Sequence, residues 1–302
     1  FFTAALIKDD MFASAETSRR IEKMRAQDPF HLTSRAVILG SLITKGDHLF
    51  LDRAHPAWKE ALRLLISRMQ DVVQEQQASQ LMLREFIGDP DEELQALLLE
   101  LGLTSHQLPN VSMIKEMSWK DHSEYLMQLS GRYRYDIRRE ILRHEDKFKL
   151  VAGGQMNAAE LKECYDLYSA VHERAFELNV FLLPYRFFEA MNAHPEFDIL
   201  RLFLNGETSP AAVMFSFTTG PLYLAMIVGL DYDKLKANET YKQILYRTVW
   251  RAWEQGCKTL DLAFTADTVK KKVGARPYQA RAYVQLMDHY NHAVIAAMSS
   301  VS

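Results

Sequence analysis

The sequence predicts an α/β protein, on three observations. Short apolar runs of strand length alternate with helical patterns, three strands follow one another as a meander, and one helix–strand–helix order occurs twice. In chain order, Arg35 to Thr44 reads as a buried strand. Pro56 then opens a helix with Trp58, Ala61, Leu62, Leu65, Ile66 and Met69 on one face. Gln80 to Ile87 is a strand, Pro90 starts a helix that closes at Leu101-Gly102, and Ser112 to Trp119 is a further strand. Lys120 to Asp146 carries the longest helical pattern, with Tyr125, Leu126, Leu129, Tyr133, Ile137 and Ile141 as its apolar face. Phe148 to Ala152 reads as a strand stopped by Gly153-Gly154, and helices follow at Ala158 to Phe176 and Pro184 to Ala193.

Phe197 to Leu204, Ala211 to Thr218 and Leu222 to Gly229 are strands joined at Asn205-Gly206 and Gly220-Pro221, hence an antiparallel meander. Glu239 to Glu254 is a helix closed by Gly256, and Thr259 to Phe264 a strand. Asp267 caps a short basic helix ending at Gly274, and Ala280 to Leu286 is the last strand. Helix 56–76, strand 80–87, helix 90–101 and Leu101-Gly102 thus match helix 239–254, strand 259–264, helix 267–273 and Val273-Gly274. That echo suggests a duplicated domain, 1–119 and 147–302, joined by the 120–146 helix; the alternative is that α/β chains often show such echoes.

At 302 residues the prior is two domains or one large α/β unit. Lys plus Arg number 36 against 39 Asp plus Glu, and a net charge of −3 argues against a dedicated DNA binder. Cys164 and Cys257 form at most one bridge, which suits a reducing cytoplasm better than a secreted scaffold. No apolar run is long enough to span a membrane. Phe1 to Ile7, without an initiator Met or a charged leader, reads as the cut edge of a longer protein.

Two basic features stand out. In the 130–143 helix, Arg132, Arg139 and Arg143 share one face and Arg134 and Arg138 lie roughly opposite. Guanidinium forks suit a nucleotide, a carrier protein or an RNA backbone, whereas Asp136, Glu140 and Glu145 would make the same helix an ordinary ion-paired surface. Lys270-Lys271-Lys272, with Arg276, Arg281 and Tyr278, is a second patch, a solvated lysine run by default. His289 and His292 beside Asp288 lack an evident third metal ligand, so no metal is expected. Gly-x-Ser-x-Gly, Gly-x-Gly-x-x-Gly and Walker patterns are all absent.

Taken together, three stretches resemble the two-domain, Fem-like branch of the GCN5-related N-acetyltransferases, including the cellulose-biosynthesis acyltransferases and domains fused to α-oxoamine synthases. They are Leu129-Ser130-Gly131-Arg132-Tyr133-Arg134 through Arg138-Arg139-Glu140, like "L-S-x-x-x-R-x-x-I-R-R"; Leu222-Tyr223-Leu224 to Gly229-Leu230-Asp231 with the following helix to Trp253-Glu254-Gln255-Gly256; and Asp261 to Val284, which contains Lys270 to Pro277, like "K-x-x-x-G-A-R-P". The match runs from about 119 to 286, and earlier residues match in element order only.

The resemblance implies two tandem acetyltransferase-like α/β/α domains with mixed, mostly antiparallel sheets, linked by a long helix: a degenerate 1–119, the arginine-rich 120–146, and an acyltransferase domain 147–302. It implies central strands that splay to admit an acyl donor, here at Leu222 to Gly229, with Met226, Val228, Gly229, Asn238, Tyr241 and Lys242 around acyl-coenzyme A. The usual glycine-rich "Q/R-x-x-G-x-G/A" loop is missing, which puts ordinary coenzyme A binding in question. Direct attack of an amine on the donor carbonyl needs a base, an acid and an oxyanion donor. The resemblance points to Lys270 for the oxyanion; Asp231 is the candidate base and Tyr223 or Tyr241 the acid. Arg134, Arg138 and Arg139 are candidates for holding a substrate or carrier. The expected partners are a small-molecule amine, and an acyl carrier protein or a fused N-terminal enzyme domain. The rival readings are a non-catalytic module of the same fold and an aminoacyl-transfer-RNA-dependent transferase.

Overall fold

A computed structural model describes residues 1–299. They divide into two compact units. One comprises Phe1–Pro109, Ala175–Phe181 and Tyr278 onward; the other comprises Asn110–Arg174 and Leu182–Pro277. This division differs from the contiguous 1–119 and 147–302 halves, because the last strand and helix pack with the first unit.

The first unit opens with β1 (Phe2–Lys8), α1 (Ala15–Arg25) and β2 (Thr33–Leu39). β1 runs antiparallel to β2, in register from Phe2↔Leu39 to Lys8↔Thr33. Neither β1 nor α1 was predicted; α1 starts at Ser14, whose hydroxyl accepts from Thr17 N–H at 3.1 Å. The predicted strand 35–44 stops at Leu39, since Gly40 turns at φ +82°. Next come α2 (Trp58–Glu75), β3 (Gln80–Ile87) and α3 (Glu92–Glu100), as the apolar spacing predicted. α2 buries Trp58, Leu62, Ile66, Met69, Val72 and Val73 against Val37, Leu81 and Leu83. β2 and β3 are parallel, from Ala36↔Gln80 to Leu39↔Leu83, so α2 is their crossover. β4 (Thr104–Ile114) begins in the first unit and ends in the second.

In the second unit, the single helix predicted over 120–146 is broken. α4 (His122–Gln128) ends where Leu129 takes extended backbone. Ser130 then caps α5 (Gly131–Glu140) by accepting from Tyr133 N–H at 3.2 Å, and a 3-10 turn follows at Leu142–Lys147. The apolar spacing persisted through the break because both helices lie on one core, with Tyr125, Leu126, Leu129, Ile137 and Ile141 all buried in it. No long linking helix exists among the described residues.

β5 (Phe148–Ala152), α6 (Ala158–His172) and α7 (Tyr185–Ala193) lead into the meander β6 (Phe197–Leu204), β7 (Ala212–Thr219) and β8 (Leu222–Leu230). β5 to β8 are antiparallel in sequence order, as the turn signals implied. α8 (Tyr232–Asn238), which was not predicted, precedes α9 (Thr240–Glu254); β9 (Thr259–Asp261) and α10 (Asp267–Lys272) follow. β8 and β9 are parallel with α9 as crossover, and β9 pairs antiparallel with the end of β4 through Met113↔Asp261 and Ile114↔Leu260.

β10 (Arg276–Leu286) and α11 (Tyr290–Ser299) then return to the first unit, where β10 pairs antiparallel with β3. Each unit therefore carries a similar order, with α8 as an addition in the second: parallel strand, crossover helix, parallel strand, short helix, and a hydrophobe-glycine pair with glycine at positive φ, Leu101-Gly102 and Val273-Gly274. The antiparallel neighbour of each second parallel strand comes from the other half of the sequence. The sheets are mixed and mostly antiparallel, as predicted.

Candidate active site

The second unit's sheet opens in its middle. β8 and β9 pair only from Leu222↔Thr259 to Leu224↔Asp261. Beyond that point β8 stays with β7 as far as Ala212↔Leu230. The chain after β9 stays instead with β4: Leu262 N–H donates to Ser112 O at 2.8 Å, and Ser112 N–H to Ala263 O at 3.1 Å. The two strands thus separate into a V. A bulge falls on its β8 side, because Phe215 opposes Ile227 while Ser216 opposes Ala225, leaving Met226 as the extra residue. Tyr223, Leu224 and Ala225 are buried, whereas Met226, Ile227 and Val228 are only partly buried although they lie in a central strand.

The other side of the V is a strained turn. Ala263, Thr265 and Ala266 have φ of +61°, +62° and +53°. For residues with a Cβ this costs about 1–2 kcal/mol each. Such strain persists only where surrounding contacts impose it. Lys270, predicted as the oxyanion donor, supplies part of that constraint: it is buried, and its Nζ donates to Phe264 O at 2.5 Å and Ala263 O at 3.2 Å. Two of its three N–H groups are therefore committed to backbone carbonyls of the turn rather than to a reacting carbonyl.

Tyr223 lies in the zipped part of β8, not in the opening. It is fully buried and donates to Asp198 Oδ2 at 2.8 Å; Arg251 grips the same carboxylate through Nε at 2.7 Å and Nη2 at 3.0 Å. Burial, reinforced by the Asp198 charge, pushes the phenol above its ordinary range. The predicted acid Tyr223 is thus held in the paired part of the sheet, away from the opening. The sequence reading missed Asp198 and Arg251, although an aspartate inside the apolar run Phe197-Asp198-Ile199 was a signal for a buried partner.

Gly229 is required by packing. A Cβ there would stand 2.7 Å from Tyr168 N and 2.8 Å from Leu167 C, so the α6 backbone fills the space expected for a donor. Asp231 caps α8, accepting from Asp233 N–H at 3.0 Å, and pairs with Lys234 at 3.3 Å. Asn238 Nδ2 donates to Lys234 O at 3.4 Å. Tyr241, in the first turn of α9, is half-buried, and burial raises its phenol.

The arginine helix, α9 and α10 meet around one carboxylate. Glu140 accepts from Lys242 at 2.8 Å, from Lys272 at 3.0 Å and from Arg139. Lys272 also reaches Asp136 at 3.2 Å, and Lys242 reaches Glu239 at 2.6 Å. Burial alone would raise the Glu140 carboxyl, but hydrogen bonds from the three cations outweigh it and lower it to about 2. Arg134 turns back to Met127 O at 3.2 Å, and Arg138 is exposed. The ion-paired reading of this helix holds for Arg139. Cys164 and Cys257 are buried and free, and burial pushes the Cys164 thiol up to about 12. Among the described residues no group of three or more His, Cys, Asp or Glu is placed to hold a metal. No described helix is long and apolar enough to cross a membrane.

Residues 131–280 match the family model of an acetyltransferase (GNAT) domain. The fold is similar to L-PGS from Bacillus licheniformis, at 10% identity, with 89% of this chain and 85% of that chain covered and a TM-score of 0.57. FemX is similar at 11% identity, covering 88% and 83%, with a TM-score of 0.56. A tandem GNAT protein from the clavulanic acid biosynthesis pathway is similar at 12% identity, covering 85% and 79%, with a TM-score of 0.52. No curated protein compared with the chain matches it. An open V between two parallel strands, set inside residues 131–280, joins geometry to family: this stretch of the chain carries an acetyltransferase (GNAT) domain, in a fold similar to that of FemX.

Proposed function

We propose that the chain is an N-acyltransferase, which moves an acyl group from a thioester or ester donor to a small-molecule amine by direct attack. The observation that carries this reading is the parting of β8 from β9, with Met226, Ile227 and Val228 only partly buried in the middle of a sheet. Past Leu224, β9 offers β8 no ladder partner, so an extended donor arm that carries amide groups finds backbone groups on that side to bond. In the reaction the amine nitrogen bonds to the acyl carbon and the carbon–sulfur or carbon–oxygen bond breaks. The base takes the proton lost by the amine, and an acid returns one to the leaving group. Asp231, which follows directly on β8, is the proposed base, and Tyr241 the proposed acid. The bulged backbone at Met226 is the proposed source of donors to the developing oxyanion.

The phosphate end of a coenzyme A donor fits less well than the acyl end. The cations Lys242, Lys272 and Arg139 are matched by Glu140, Asp136 and Glu239, and the glycine-rich loop is absent. That neutralisation favours a second reading, in which the donor is an acyl carrier or an aminoacyl-transfer RNA that does not depend on these lysines.

Calorimetric titration with acetyl-, octanoyl- and palmitoyl-coenzyme A tests the first reading. Saturable micromolar binding with a chain-length preference is the expected result. Absence of binding to all three transfers the donor role to a carrier or an RNA. Binding of an aminoacyl-transfer RNA that falls steeply with salt would then single out the RNA.

A further inference from the structure

We propose that Lys270 is a positioning residue, which locks the left-handed Ala263–Ala266 turn and so sets the β9-side wall of the opening. This rests on reading the opening as the donor cleft. Three observations converge on it. The turn lies where the chain after β9 follows β4 while β8 follows β7. Three of its four residues are non-glycine at positive φ. A lysine ammonium, costly to bury, is placed beneath it and donates to two successive carbonyls, Ala263 O and Phe264 O.

The rest of the turn is tied down by the same few residues. Ala263 N–H donates to Asp261 Oδ1 at 2.6 Å. Ser112 Oγ donates to Asp267 Oδ1 at 3.0 Å, which fixes the start of α10. The backbone N–H groups of Val269 and Lys270 both donate to Ala266 O. α10 thus pulls the turn inward from one end, and β4 holds it at the other. To turn fully toward a reacting carbonyl, the lysine would have to leave both backbone carbonyls, and the strain they hold would be released.

The two roles separate by measurement on the whole chain. Amide hydrogen exchange is followed at Leu262 and Ala263 in the wild type, Lys270→Met and Lys270→Gln, without ligand. The amides of β6 and β7 serve as internal controls. Lys270→Met removes every side-chain donor, and exchange at both amides is expected to speed at least tenfold with the controls unchanged. Lys270→Gln lacks the charge but keeps N–H donors for the two carbonyls, and is expected to recover most of the protection. Should Lys270→Met fail to fold, Lys270→Gln carries the test: protection close to wild type supports positioning, and a tenfold loss overturns it. Unchanged exchange in Lys270→Met also overturns it.

With a donor in hand, positioning predicts that Lys270→Gln raises KM more than it lowers kcat; a fall in kcat alone returns Lys270 to the carbonyl. Because the exchange readout uses no donor, a loosened turn in a chain that binds none of the coenzyme A thioesters faults the donor assignment and leaves the lysine's role standing.

Discussion

Both units contain a parallel strand pair joined by a crossover helix, and in both the pair comes apart after a short ladder. What happens at the parting differs. In the second unit β8 continues six residues past its last pairing with β9, to Leu230, and its middle is only partly buried. In the first unit β2 ends at the last pair, Leu39↔Leu83, and Gly40 turns the chain away at once. The loop that follows fills the gap: Lys45 pairs with Glu85, which is fully buried, and Arg84 donates to Ser41 O at 2.9 Å and to Glu85 at 2.8 Å. In each unit the residue two beyond the last pair is left-handed, Glu85 at φ +70° and Ala263 at φ +61°. One geometry is thus closed by an internal ion cluster and the other left open. The same topology yields a unit whose parting is bridged by a loop and a unit whose strand runs on past the parting, and the choice is made by a loop and a strand end.

The sharpest way to break that comparison is to remove the ion cluster. Glu85→Ala leaves Lys45 and Arg84 as buried cations without their carboxylate, and should cost about 3–5 kcal/mol in urea unfolding. Donor binding in the folded fraction should be unchanged. Loss of donor binding at full folding would mean that the closed parting takes part in function.

The glycines at the two partings make a second contrast. Gly229→Ala drives a Cβ into the α6 backbone, which cannot swing aside, and should cost about 2–3 kcal/mol. At Gly40 the nearest obstacle is the His48 ring, a side chain, so the cost of Gly40→Ala comes chiefly from its φ of +82°. It should be about 1–2 kcal/mol. Equal losses in thermal unfolding would show that α6 yields as easily as a ring does.

Acid separates the units through one carboxylate in each. Lys8, Asn179 and Arg25 overcome burial to hold Glu22 at about 2 in the first unit, and Lys242, Arg139 and Lys272 do the same for Glu140 in the second. Both lie below the 4.5 of a free glutamate, so the stability each contributes is complete above about pH 4.5 and is lost as pH falls toward 2. Allowing for solvent screening, each is worth about 2 kcal/mol. Glu140→Gln should flatten the second unit's acid unfolding and Glu22→Gln the first's, read by exchange at amides of each unit across pH 5 to about 2.5. An identical effect of both variants in both units would show that the units unfold as one.

Much of this was legible in the chain, and what was not has identifiable physical causes. The meander was readable because apolar runs alternated with Asn205-Gly206 and Gly220-Pro221, and turn chemistry of that kind is local. The 120–146 region misled because periodicity records which face is buried and not whether the backbone stays helical; Leu129 is buried on the same core as both flanking helices while extended itself. β1 and α1 were overlooked because their apolar residues are few: Phe2 and Leu6 are exposed, and α1 buries Thr17, Ser18 and Arg25 beside Ile21. The motif around Lys270 was legible, and its meaning was not. Spacing cannot reveal that the ammonium points to Ala263 O and Phe264 O.

The smallest effect tests the line between frame and cleft most finely. Tyr223 is in the zipped stretch of β8, two residues before the strand enters the opening. Tyr223→Phe deletes one hydrogen bond to Asp198, which keeps two from Arg251, so no charge is stranded and about 1 kcal/mol should be lost. Turnover with a competent donor should change by less than about twofold, since a framework hydrogen bond does not see the charge that develops on the acyl carbon. A loss of 100-fold or more at unchanged KM would instead make this phenol the acid, and would require that β8 and β9 unzip as far as Tyr223 when the donor binds.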